Sequence, residues 1–311
     1  APGVPGLVGD TPAMRALYQT VHAFAPMPWP ALILGETGTG KEAIARALHA
    51  LSPRRDEPFL AVNCGAIVES LAESELFGHE KGSFTGADAR RDGLITRVGE
   101  GTLFLDEIGE LSGTLQVKLL RVLQEGTYER VGGSQTLRFA GRIVAATHRS
   151  LQDDDFREDL YYRMAACVVP VPPLRDRRSD VPALAHHLLA RIQAELPGAP
   201  RMHLEAAALN VLMSRDWPGN VRELENTLRG AAARCFAVGG GALSPGHLQP
   251  SGTPTPAAAL TGSLKEQVVA FERRQVIAAL AASDGNRSAA SRTLGISRQW
   301  LHRLMTREGL L

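Results

Sequence analysis

The chain has 311 residues, 44% hydrophobic and 22% charged, a length that fits two domains or three with one small, and a composition that excludes a disordered chain. The best apolar candidate, from Met164 to Pro170, is closed by Pro170, Pro172 and Pro173 and falls far short of the roughly 18 residues of a membrane span. The net charge is only +1, but the stretch from Leu264 to the end carries +4 and leaves about −3 for the rest, so a polyanionic partner is expected for the C-terminal part.

The first residues, APGVPGLVGD, have neither the basic start nor the apolar stretch of a secretory signal, and a start at Ala1 rather than Met reads as a fragment or a processed product. Cys64, Cys167 and Cys235 are widely spaced without a CxxC pair, which argues against a disulfide framework or a zinc site. A reducing cytoplasm is the expected setting.

In chain order, Ala31–Leu34, Phe59–Val62, Thr102–Leu105, Ile143–Ala146 and Val168–Val171 predict strands, with helical patterns between them. That alternation predicts a mainly parallel sheet with helices on both faces. Beyond Pro173 the strand signals stop. Helix is predicted from Val181 to about His247, broken at Trp217-Pro218-Gly219-Asn220. The uncharged stretch PSGTPTPAAALTGS reads as a flexible linker. The expected organisation is an α/β subdomain over 7–173, an α-helical lid over 174–248, a linker over 249–263 and an all-α domain over 264–311.

The first predicted strand runs directly into Gly35-Glu36-Thr37-Gly38-Thr39-Gly40-Lys41-Glu42, and a helix is expected over Ala43–Ala50. Strand, Gly-rich loop and helix in this order form a phosphate cradle. Glycines let backbone N–H groups face the phosphates, the helix N-terminus adds a favourable dipole, and Lys41 neutralises the outer phosphates. Glu42 stands where the general pattern has a Ser or Thr hydroxyl for Mg²⁺, so the metal is expected on Asp106 through water. Thr102-Leu103-Phe104-Leu105-Asp106-Glu107 is an apolar strand ending in two carboxylates, a costly arrangement without a task. Asp106 is expected near Mg²⁺, with Glu107 activating the attacking water. The two motifs together predict an ATPase. Asn63, at the end of its strand, is expected to hydrogen-bond Glu107, and Thr147 and His148 to sense the γ-phosphate. Cys64 and the His186-His187 pair read as structural or surface residues.

The segment Glu75-Leu76-Phe77-Gly78-His79-Glu80-Lys81-Gly82-Ser83-Phe84-Thr85-Gly86-Ala87 resembles the signature of sigma-54-dependent activators, the NtrC-like bacterial enhancer-binding proteins of the AAA+ superfamily. The resemblance runs from about Leu7 to the C-terminus. It implies that Gly82, Ser83, Phe84, Thr85, Gly86 and Ala87 form a loop tip that touches the sigma factor, with Ser83 in place of the usual Ala. It implies that Glu129–Arg138 is a second pore-side loop. It also implies that Arg157 and Arg163 are arginine fingers reaching a neighbouring protomer's site, that Arg222 reports nucleotide state from the lid, and that protomers form a hexameric ring. Two arginines six residues apart lie on different faces of a helix, which fits service across a subunit junction. Family members often carry an N-terminal receiver or sensory domain, and no room for one is expected before Leu7.

At the C-terminus, Asn286 is positioned to cap a helix over Arg287–Leu294, Gly295 allows a tight turn, and Ser297 can cap the next helix. Leu301, Leu304 and Met305 predict an inward face, opposite Arg298, Gln299, His302 and Arg303. This is a helix-turn-helix whose last helix enters a major groove, with Arg287, Ser297, Arg298, Gln299, His302, Arg303 and Arg307 facing bases or phosphates. It resembles the Fis-type domains that end this family. The resulting expectation is an ATP- and Mg²⁺-dependent activator that binds enhancer DNA, forms dimers to hexamers, and remodels the sigma-54 RNA polymerase closed complex. The rival expectations are an AAA+ DNA-binding regulator acting without sigma-54 and an AAA+ remodelling ATPase of another class.

Overall fold

Alternation of apolar residues sets the two faces of the central sheet. Five strands, β1 (Ala31–Leu34), β2 (Phe59–Asn63), β3 (Thr102–Asp106), β4 (Arg142–Thr147) and β5 (Cys167–Pro170), lie in the order β2-β3-β4-β1-β5. All four pairings are parallel, with Ala31 opposite both Val144 and Cys167, and Asn63 opposite Asp106. Leu32, Leu103, Leu105, Ile143 and Ala145 pack on one face; Ile33, Phe104, Val144, Ala146 and Val169 pack on the other. A parallel sheet buried on both faces needs such near-continuous apolar strands.

One face is covered by α1 (Pro12–Phe24) and α2 (Lys41–Ala50), the other by α3 (Gly113–Glu125) and α4 (Glu158–Met164). Thr11 caps α1 by accepting from the Met14 N–H, and Pro12 occupies the first turn, where no N–H is needed. The strand β4 begins earlier than its apolar run predicts because Arg142 is buried at its start. The guanidinium donates to the carbonyls of Phe24, Ala25 and Trp29 at 2.9, 2.8 and 2.9 Å, at the C-terminal end of α1. These carbonyls and the helix dipole satisfy a charge that would otherwise be costly there.

The computed structural model describes residues 3–84, 87–149, 151, 155–196 and 200–248, and the isolated positions 287, 291, 296, 300–302 and 305. The chain divides into two units, Ala1–Pro250 and Ser251–Leu311. In the first unit, α5 (Val181–Ala194), α6 (Ala206–Ser214) and α7 (Asn220–Ala237) follow the sheet and share a core of their own, including Leu184, Leu188, Leu224 and Leu228. Trp217 is sealed within it and donates its indole N–H to the Leu212 carbonyl at 2.8 Å. The break expected at Trp217–Asn220 falls between α6 and α7, but the lid also departs from the expected all-helical pattern. His203–Leu204 and Ala242–Leu243 form a short parallel pair; Gly239 (φ 67) follows the end of α7, and the pair buries Leu204 and Leu243.

In the second unit, Leu301 and Met305 are buried while Arg287 and His302 are exposed, and the Ile296 N–H donates to the Ser291 carbonyl. Leu304 and the expected DNA-facing residues Ser297, Arg298, Gln299, Arg303 and Arg307 lie outside the described residues, as do Asn286 and Gly295. Among the described residues no helix is long and apolar enough to cross a membrane.

Candidate active site

At the C-terminal end of β1 the chain turns through a loop that only glycine accommodates at two points. Gly38 (φ 79) and Gly40 (φ 98) both sit in the left-handed region. A side chain at Gly38 would also strike the Gly219 carbonyl oxygen, 2.3 Å from where its Cβ would stand. α2 then starts at Lys41, two residues before the expected Ala43. A cleft of about 310 Å³ opens above this loop, lined by Thr37, Gly38, Thr39, Gly40, Lys41 and Glu42 together with Asp106, Glu107 and Arg222. An apolar wall that includes Leu7, Met14, Val171 and Leu188 closes its other end. Gly35 and Glu36 are not in the cleft wall, and neither are Asn63, Thr147 and His148.

Lys41 is buried, and its Nζ donates to the Gly35 carbonyl at 2.9 Å while standing 3.7 Å from Glu107 Oε1. Glu42 turns away and pairs with Arg46 at 2.7 Å, so its carboxylate is engaged one helical turn along α2. Glu107 itself lies in the left-handed region (φ 53), a strained backbone for a residue with a side chain. Burial would raise its pKa, but the His148 hydrogen bond and the charge of Lys41 together outweigh burial and hold the carboxyl below its ordinary range. Asp106 has the opposite balance: burial and the neighbouring Glu107 charge raise it, against a smaller lowering by Lys41. A half-buried carboxylate with too little positive charge around it fits a hard cation. Among the described residues no group of three or more His, Cys, Asp or Glu side chains gathers to cage a metal.

The expected Asn63–Glu107 hydrogen bond is absent. Asn63 instead accepts from the N–H groups of Gly65 and Ala66 at 3.0 and 3.1 Å, capping the 3-10 turn Cys64–Ala66 that follows its strand. A short polar side chain at a strand end is captured by the nearest free N–H groups. Glu107 is held by His148 instead, with Nδ1 to Oε2 at 2.6 Å. Thr147 is buried and accepts from the Arg149 N–H at 3.0 Å. Burial, with the Asp106 and Glu107 charges nearby, pushes the Cys64 thiol up to about 12, in keeping with a structural residue. His187 is exposed on α5 and also borders the cleft.

Glu36 joins the loop to the lid. Arg175 donates to it through both terminal nitrogens at 2.8 and 2.6 Å, and the Asn220 side-chain amide donates to Glu36 and to the Thr37 carbonyl, each at 3.1 Å. Backbone N–H groups of Val221 and Arg222 meet the Gly38 carbonyl at 2.9 and 3.3 Å. The Arg175 and Asn220 hydrogen bonds lower the Glu36 pKa to about 2. A depressed carboxylate stabilises the fold above its ordinary pKa, and that contribution disappears as pH falls through the depressed value. The parent is therefore expected to resist urea better than Glu36→Gln at neutral pH, with the difference fading between about pH 4.5 and pH 2. A difference that widened on acidification would show that Glu36 is not held as an anion by the lid.

In the same unit, Phe84 is 39% exposed and rests edge-on against His79, ring centroids 5.0 Å apart. Gly82 (φ 81) turns the chain, and its N–H donates to the Ala87 carbonyl at 2.8 Å. Ser83 packs against Gly132 of the segment Glu129–Arg138, where any side chain at Gly132 would collide with it. The Glu80 N–H donates to the Val131 carbonyl and the Val131 N–H to the Gly78 carbonyl, docking the two loops on each other. Thr85 and Gly86 lie outside the described residues. Arg157 stands at the N-cap of α4, paired with Asp159 at 2.8 Å, and Arg163 is exposed in the last turn of that helix. Neither reaches the cleft of its own chain.

The chain matches the family described as the Sigma-54 interaction domain over residues 7–170, the AAA+ ATPase lid domain over 175–260 and the bacterial regulatory proteins of the Fis family over 267–307. It is 46% identical over 302 residues to the transcriptional regulatory protein ZraR of Klebsiella oxytoca, covering 95% of this chain and 67% of that protein. It is also 46% identical over 309 residues to the Nif-specific regulatory protein of Azotobacter vinelandii, covering 96% of this chain but 58% of that protein. Among solved structures, NtrX from Brucella abortus in complex with ADP superimposes with a TM-score of 0.73 at 32% identity, covering 97% of this chain and 70% of that one. NtrX in complex with ATP gives 0.72 at 34% identity, with 97% and 69% covered. A strand-borne phosphate loop, a strand-end carboxylate pair and a helical lid thus coincide with matches along nearly the whole length, and the chain belongs to the sigma-54-dependent transcriptional regulators, with an AAA+ ATPase core, an AAA+ lid and a Fis-type helix-turn-helix domain.

Proposed function

We propose that this chain is an enhancer-bound activator that spends ATP at the junctions of a ring to remodel the sigma-54 RNA polymerase closed complex. The observation that carries the reading is the exposed Phe84, docked beside the Glu129–Arg138 loop in the same unit as a nucleotide cleft that presents Lys41, Asp106 and Glu107. An aromatic ring at a glycine-hinged tip is a liability on a monomer and an asset on a contact surface.

In this mechanism the glycine loop cradles the phosphates of ATP and Lys41 moves from its Gly35 carbonyl onto them. Glu107 accepts a proton from the attacking water, while His148 keeps its carboxylate aimed. Asp106 would hold Mg²⁺, which would supply charge neutralisation for the phosphoryl transfer. Arg157 and Arg163 of one protomer enter the cleft of the next, as the expected hexamer requires, and Arg222, whose backbone N–H meets the Gly38 carbonyl, reports nucleotide state to the lid. The Fis-type domain, through Arg287, Ser297, Arg298, Gln299, His302, Arg303 and Arg307, grips enhancer DNA and raises the local concentration of the ring at the promoter. Loops Gly82–Ala87 then press on sigma-54.

A binding experiment separates this reading from a AAA+ regulator that ignores sigma-54. The ring loaded with a transition-state mimic such as ADP–aluminium fluoride is expected to retain purified sigma-54 on gel filtration. Phe84→Ala is expected to hydrolyse ATP at the parental rate and to lose the complex. Loss of hydrolysis along with the complex, or a complex that survives the substitution, would place the contact elsewhere.

A further inference from the structure

Gln116 is a polar residue on an apolar face. The side of α3 that packs on the sheet buries Leu115, Leu119 and Val122, and Gln116 is buried with them at 1% exposure. A buried amide is costly unless its donors and acceptor are all engaged. Here they are: Nε2 donates to the Leu111 carbonyl at 2.9 Å and to the Asp155 carbonyl at 3.1 Å, and Oε1 accepts from the Arg157 N–H at 2.9 Å. A Leu or Met would fill this space without any polar debt, so the amide is there for what it connects.

It connects two functional segments of the unit. Leu111 ends the 3-10 turn Ile108–Glu110, which follows Glu107 directly. Asp155 and Arg157 bound the approach to α4, and Arg157 is its N-cap residue. The Asp159 pair holds the Arg157 guanidinium, and Gln116 ties the Arg157 backbone N–H across to the turn that follows Glu107. The segment that follows β4 is stitched to the same turn, with His148 on Glu107 and Arg149 on Glu110, each at 2.6 Å.

We propose that Gln116 is a positioning residue for Arg157, fixing the finger that one protomer offers its neighbour to the turn that carries its own Glu107. The proposal rests on the reading of Arg157 as a finger acting in trans. It gives each cleft a direct mechanical line to the next: a shift of the 107–111 turn on hydrolysis displaces the base of the finger through one side chain. A residue that merely packed α3 would affect the cleft of its own chain or the stability of the fold, whereas a residue that places the finger affects the neighbour's cleft.

Mixing experiments with the full chain distinguish these roles. Gln116→Leu alone is expected to lose about 10²-fold in ATP hydrolysis, the scale of a misplacement of about 1 Å, with fluorescent ADP bound as tightly as by the parent. Mixed with Lys41→Ala, which is inactive alone but keeps a sound finger, it is expected to regain hydrolysis, as an Arg157→Ala plus Lys41→Ala mixture does. Full activity of Gln116→Leu, or recovery by the Arg157→Ala mixture but not by the Gln116→Leu mixture, would overturn the proposal while leaving the finger reading intact. No recovery in either mixture would overturn both. If Gln116→Leu fails to bind ADP, the same comparisons on Gln116→Glu decide, because that variant keeps the size and the acceptor for Arg157 but loses both donors.

Discussion

Glu107→Gln is expected to lower ATP turnover by about 10²–10⁴-fold, the usual worth of a positioned general base, while nucleotide affinity stays close to that of the parent. The geometry separates the two quantities. In the proposed mechanism, binding is carried by the glycine loop and Lys41, which the substitution leaves in place, whereas the Glu107 carboxylate takes the proton. Its pKa is held low by His148 and Lys41 against the effect of burial, so it is ionised and able to accept throughout the neutral range. An amide of the same shape keeps a hydrogen bond to His148 but cannot accept the proton. Steady-state phosphate release together with fluorescent-nucleotide titration checks both halves. A variant that hydrolyses at the parental rate would remove Glu107 from the chemistry, and one that no longer binds would make it a structural partner of Lys41.

Arg157→Ala is expected to cost about 10³–10⁵-fold in hydrolysis, the range typical of a guanidinium supplied across a junction. In the isolated protomer that guanidinium does nothing for its own cleft: it is exposed and paired to Asp159, two residues along α4. The pair is a surface one and contributes little to stability, so the variant is expected to melt with the parent. The loss is expected only where protomers meet, and it should therefore grow with protein concentration over the range in which the parent assembles and gains activity. A variant that matched the parent at every concentration would leave Arg157 as an ordinary helix-capping charge.

The sheet and the phosphate loop were readable because their information is local. Strands buried on both faces announce themselves as apolar runs, and a loop needing φ > 0 at Gly38 and Gly40 has few alternatives to glycine. The partnerships around the site were less readable because they are settled by competition in space. Asn63 has an amide N–H that could serve the Glu107 carboxylate, but its amide oxygen accepts from N–H groups two and three residues away, which hold the side chain at its own turn. Glu36 sits inside a phosphate-loop motif, yet its carboxylate turns to Arg175 and Asn220, which lie far along the chain in the lid. Gln116 is invisible in the pattern for the same reason, since its three partners are backbone groups that only the folded chain brings together. Arg142 shows the converse: a charge reads as the edge of a strand until three carbonyls surround it.

The central claim is that nucleotide hydrolysis, and not nucleotide binding, drives the Phe84–Thr85 loop against sigma-54 to open the promoter. The direct measurement is open-complex formation by purified sigma-54 RNA polymerase on a promoter bearing this chain's DNA site. ATP is expected to produce open complexes where ADP produces none, and Thr85→Ala to turn over ATP without opening. Equal opening with ADP, or full opening by Thr85→Ala, would contradict the account.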